Sequence, residues 1–73
     1  MIQDRLKTPE IGDLLALFHR LNNQLGVILA HAELLEAKAP DDSNRARASH
    51  VVGATLEAMA VTRVLRDQLT SEV

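Results

Sequence analysis

A run of apolar residues spaced alternately three and four apart, interrupted once by a proline, limits this chain to helices packed on helices. Ile11, Leu14, Phe18, Leu21, Leu25, Ile28, Ala32 and Leu35 keep the alternation without a gap. That is the period of a helix seam and not of a strand. Val51, Thr55, Ala58, Thr62, Leu65 and Leu69 repeat it further along. Between the two stands Pro40, which disfavours helical geometry at Ala39. Thr8-Pro9-Glu10 reads as a helix start, with Thr8 as N-cap, Pro9 at the first helical position and Glu10 at the positive end of the dipole. Asp41-Asp42-Ser43-Asn44 offers several N-cap candidates for a second helix. One helix is therefore expected over residues 9–38, about 45 Å long at the usual rise, and another over residues 43–69. Residues 1–7 either extend the first helix or fray. A single continuous helix conflicts with a proline followed by two aspartates.

Both apolar stripes are wide. Leu15, Leu17 and Leu29 broaden the first, and Val52, Leu56, Met59, Val61 and Val64 the second. A hairpin has one inter-helix seam, so stripes of this width leave apolar surface in water unless a further layer covers it. The size of the chain points the same way. Its 73 residues make one domain with a small core, and such domains lean on disulfides, metals or partner chains. There is no cysteine, and His19, His31 and His50 are too scattered for a closed zinc site. The expected fold is all-α: a two-helix antiparallel hairpin spanning residues 1–73 as one domain, dimerising into a four-helix bundle.

Charge narrows the function classes. The net charge is −2 and the pI about 5.8, unlike a protein that binds nucleic acid by neutralising phosphates. No apolar run reaches the roughly 18 residues of a membrane span, and the first residues carry no apolar leader stretch. No nucleic-acid or membrane partner, no cofactor and no metal is expected, and the absence of cysteine fits the cytoplasm.

The polar residue that stands out is His19. With Ile11 and Leu14 on the seam, His19 falls off it, among Gly12, Ala16, Asn22, Asn23 and Gly26. A glycine inside a helix costs roughly 1 kcal/mol relative to alanine. Two of them, seven residues before and seven after His19, suit a face that another protein's backbone approaches closely. Tolerated surface glycines beside a solvated histidine are the plainer explanation. His31 lies beside the seam, where a packed or partly exposed histidine is the simple reading, and His50 reads as solvated. Arg63 and Arg66 lie towards the C-terminal end of the second helix, where positive charge suits the dipole. In an antiparallel hairpin they come to the same end as His19, where attraction of a phosphate is the alternative reading of the two arginines.

The stretch from Phe18-His19-Arg20-Leu21-Asn22-Asn23-Gln24-Leu25-Gly26 to Ala32-Glu33-Leu34-Leu35 resembles the H-box of sensor histidine kinases, in their dimerisation and histidine-phosphotransfer domain. His19 stands at the phosphoacceptor position, Asn23 at the family's Asn or Thr, Leu25 at its Leu, and Ala32-Glu33-Leu34-Leu35 matches the distal pattern. The resemblance covers most of the chain. It implies a dimeric four-helix bundle that relays a phosphoryl group through His19 to or from a response-regulator aspartate in two-component signalling. Asn23 would assist the chemistry, and Arg20, Gly12, Ala16 and Gly26 would face the partner, a receiver domain or a histidine kinase.

Three departures qualify it. Arg20 replaces the family's acid and cannot act as a base; it suits a phosphate or an acidic surface instead. Gln24 replaces the family's proline, so the backbone bond that proline would delete is kept. No Gly-rich phosphate loop occurs in these residues, so ATP-dependent self-phosphorylation is not expected, and any phosphotransferase activity depends on a partner. The alternative is a non-catalytic interaction protein, which binds a response regulator or a kinase and modulates signalling.

Overall fold

The computed structural model describes residues 10–71. They form two helices, α1 (Ile11–Ala37) and α2 (Asp42–Ser71), joined by a short turn and packed against each other along their lengths as an antiparallel hairpin. No strand occurs among the described residues.

The ends of the helices follow from local chemistry. Glu10 is the N-cap of α1 in extended geometry (φ −68°, ψ 157°), and its carbonyl accepts from the N–H groups of Asp13 and Leu14 at 3.0 and 3.1 Å. The proposed cap at Thr8 and helix start at Pro9 lie outside the described residues. Lys38, expected as the last helical residue, is the C-cap of α1 (φ −104°, ψ 8°). Its N–H donates to the Leu34 carbonyl at 3.0 Å, and Ala39 N–H to Glu36 at 3.4 Å. Pro40 then prevents another turn.

Of the four N-cap candidates the fold uses Asp41. Its carboxylate accepts from the Asn44 backbone N–H at 2.8 Å and from the Asn44 side-chain amide at 3.1 Å. This satisfies one of the orphan donors of the first turn and starts α2 at Asp42, one residue earlier than expected. The far end runs on to Ser71, past the expected stop at Leu69, because no Pro or Gly stands there to end it. Asp41→Ala is expected to lower stability by about 1 kcal/mol, read as a reduced melting temperature at fixed chain concentration. Asp42→Ala, which removes only the exposed ion pair to Arg45, should change it far less.

α1 is helical without a break through Gln24 and Gly26. The helices pack through small residues. Among the described residues only Ala32, Ala48, Thr55 and Thr62 are buried, and no large side chain is fully enclosed. The two threonine hydroxyls donate to carbonyls four residues back, Thr55 to Val51 at 2.7 Å and Thr62 to Ala58 at 2.8 Å. They therefore sit in the seam with no unsatisfied polar atom.

The spacing is as expected, but the chain itself covers only half of each stripe. In α1 the covered or half-covered positions are chiefly Ile11, Leu15, Phe18, Leu25, Leu29 and Ala32; in α2 they are Ala48, Val52, Thr55, Met59, Thr62 and Leu69. The remaining seam positions Leu21, Ile28 and Leu35 stay 46%, 46% and 67% exposed, and Val51 and Leu65 45% and 53%. In two right-handed helices running antiparallel, the flanks three residues after each covered position fall on the same side of the pair. Leu35 and Val51 accordingly line one groove, and Leu14, Leu17 and Leu21 cluster on the same side. The hairpin is thus a slab of two helices, one broad face of which is apolar.

Candidate functional site

The opposite face carries His19. On α1, His19 follows Phe18 by one residue and Leu21 follows it by three, so the two flank the seam on opposite sides. His19 is exposed, and it lines a cleft of about 250 Å³ between the helices. Leu15 and Phe18 form the floor on the α1 side, with Asn22 next to His19; Thr62, Arg63 and Arg66 come from α2. The antiparallel turn at Pro40 brings these two distant stretches together.

The cleft exists because the seam loses its apolar residues there. Continuing the covered spacing of α1 from Leu15 and Phe18 reaches Asn22, and continuing that of α2 from Met59 and Thr62 reaches Arg66. Both are polar and exposed, so neither fills the space between the helices. Arg66 bonds the neighbouring Asp67 carboxylate at 3.3 and 3.1 Å. Arg63 makes no ion pair among the described residues. No acidic residue lines the cleft. The dipole explanation for the two arginines fails, because α2 continues to Ser71 and no basic residue lies in its last turn.

Of the other candidate residues, Gly12 and Ala16 are exposed and Gly26 is half-buried. They lie on the same side of α1 as His19 by their spacing but outside the cleft. Asn23 and Arg20 are also exposed and do not line it; Arg20 points towards the outer edge, away from α2. His31 and His50 are exposed, and no cluster of metal-ligating side chains occurs among the described residues. The arginines and Asn22 are the cleft residues that the H-box pattern does not point to. Asn22 and Arg66, polar residues in the covered spacing of the two helices, are the signal that finds the cleft, and Arg63 joins it through the hairpin register.

The glycines serve no purpose inside the chain. None has a positive φ, and a Cβ added at Gly12, Gly26 or Gly53 would meet nothing within 4 Å. Gly26→Ala and Gly53→Ala should therefore each stabilise the helices by about 0.5–1 kcal/mol, seen as a higher melting temperature. A fall in stability would mean that these positions are packed against something.

What the arrangement offers chemically is an accessible imidazole, two guanidinium groups and an amide around a shallow cleft. A neutral imidazole nitrogen is a nucleophile, and guanidinium groups match the oxygens of phosphate or carboxylate. Among the described residues, no helix is long and apolar enough to cross a membrane. No family model matches the chain, and neither a curated protein nor a solved structure matches it.

Proposed function

We propose that this chain is a dimerising histidine-phosphotransfer module of two-component signalling, which passes a phosphoryl group through His19 to or from the aspartate of a receiver domain. The observation that carries this reading is the division of the slab. The apolar face lies on one side, and His19 with its cleft on the other. A second copy covering the apolar face would leave both imidazoles of the dimer outward, where a partner can reach them.

The dimer is supported by the exposed apolar residues and by their register. The uncovered positions Leu21, Ile28, Leu35, Val51 and Leu65 are the other half of the heptad seam, so two hairpins meeting there would form the four-helix bundle that the full stripe calls for.

Phosphotransfer asks little more of the chain than an exposed nucleophile on a rigid helix. The rest is positioning and charge stabilisation, with the acceptor aspartate supplied by the partner. The resemblance of the His19 segment to the H-box supports the assignment. Incubation with a receiver domain phosphorylated on its aspartate should place acid-labile phosphate on His19 and not on His31 or His50. Retention of all the label by a receiver that demonstrably binds the chain would contradict transfer.

The second reading, a binder that modulates signalling without transfer, is favoured by Arg20, which stands where the family has its acid. In both readings the purified chain should not label itself with ATP.

A further inference from the structure

We propose that the cleft beside His19 is an oxyanion subsite, in which Arg63 holds the oxygens of a phosphoryl group arriving at or carried on the His19 imidazole. This rests on the reading of His19 as a phosphoacceptor and names how the same site holds its cargo.

Three features lead to it. First, Arg63 and His19 come from different helices, 44 positions apart in the chain (63 − 19), yet line one cleft. Second, the two arginines are not equivalent. Arg66 gives its Nε and one terminal nitrogen to Asp67, whereas Arg63 has neither an ion pair nor a side-chain hydrogen bond among the described residues. Its fork of donors is available for a ligand rich in acceptors. Third, the cleft holds a cation without a nearby acid. The chain carries a net charge of −2, but no acid lines the cleft, and while Arg66 is paired with Asp67, Arg63 has no acidic partner among the described residues. Asn22 adds an amide donor, while the Thr62 hydroxyl proton already goes to the Ala58 carbonyl. A ligand made only of acceptors, such as phosphate, fits these groups; a cation does not.

Arg63 would act by orienting and neutralising the phosphoryl oxygens, so that the imidazole nitrogen meets phosphorus without charge repulsion. Phosphoramidate tests this without any protein donor. The imidazole nitrogen of His19 attacks phosphorus, the P–N bond of the reagent breaks, and ammonia leaves with the imidazole proton as ammonium. The product carries the phosphoryl group on the ring nitrogen.

The experiment compares initial rates of labelling at subsaturating phosphoramidate, resolved by histidine, in the full chain and in Arg63→Gln, Arg63→Lys and Arg45→Gln. His19 of the unaltered chain should label faster than His50, and added sulfate should suppress that advantage. Arg63→Gln should slow His19 about tenfold with His50 unchanged. Arg63→Lys, which keeps the charge but not the fork, should recover part of the rate. Arg45→Gln, exposed at the Pro40 end of the hairpin and outside the cleft, should stay within about twofold. His19 labelling no faster than His50, or equal rates in Arg63→Gln and the unaltered chain, would overturn the subsite. So would an equal loss in Arg45→Gln, which would reduce the effect to general charge. Transfer from a phosphorylated receiver is scored separately. If it is absent while labelling by phosphoramidate depends on Arg63, the signalling role fails and the subsite stands. If it is present while labelling is independent of Arg63, the subsite fails alone.

Discussion

Ile28→Asp should weaken self-association at least about a thousandfold, whereas Val27→Asp, one residue away, should leave it intact. Both side chains are similarly exposed in the hairpin, 46% for Ile28 and 52% for Val27. Neither carboxylate would be enclosed within the chain itself, so any difference must come from what covers the faces. Ile28 lies on the apolar face beside Leu21 and Leu35; Val27 lies a third of a turn back, at the edge pointing away from α2. An unpaired carboxylate enclosed at an interface costs several kcal/mol, and a two-fold symmetric dimer contains it twice. Sedimentation equilibrium across a range of concentrations reads the result. A lone hairpin with so little enclosed volume is marginal, so Ile28→Asp should also lose helical circular dichroism on dilution. Equal behaviour of the two variants would mean that the apolar face is not where copies meet.

On the other face the largest effects should come from His19 and Gly26, and they separate the two functional readings. If the chain transfers phosphate, His19→Ala should cut labelling from a phosphorylated receiver by at least about a hundredfold. The dimer should be unaffected, because His19 is exposed and off the seam. Gly26→Trp should then reduce labelling and receiver binding together. A Cβ at Gly26 meets nothing within 4 Å in the chain, so a side chain can leave the helix there, and unchanged helical circular dichroism of the variant checks that the indole obstructs a partner and not the fold. If the chain only binds, His19→Ala should leave receiver binding and its effect on signalling intact, while Gly26→Trp abolishes both. Receiver binding assayed beside label transfer in the two variants tells these outcomes apart. Full binding by Gly26→Trp would show that partners dock elsewhere.

Much of the fold is legible in the sequence, because the signals are periodic and local. The three-four spacing of Ile11 to Leu35 and of Val51 to Leu69 marks both helices, and Pro40 marks the turn. The ends are less legible, since several residues compete for each. Asp41 prevails over Asp42, Ser43 and Asn44 because its carboxylate reaches both the backbone and the side chain of Asn44. Which half of a wide stripe the chain covers for itself is not written in the spacing. Leu21 and Leu25 are equally good seam residues, and only the hairpin geometry leaves Leu21 exposed and half-covers Leu25. The site divides in the same way. His19 is visible because its own helix surrounds it with small residues. Arg63 needs the hairpin register to come near it, and the length of α2 beyond it to set aside the dipole explanation.

The division of the slab into a face for a second copy and a face for a partner can be tested in one measurement. A soluble paramagnetic agent added to the labelled protein in solution broadens the signals of groups open to water. The methyl groups of Leu21, Ile28, Leu35, Val51 and Leu65, all about half exposed or more in the single chain, should be protected. The His19 imidazole and the Ala16 methyl should be strongly broadened. Broadening of the five apolar residues to the level of Ala16, or protection of His19, would contradict the assignment of the two faces.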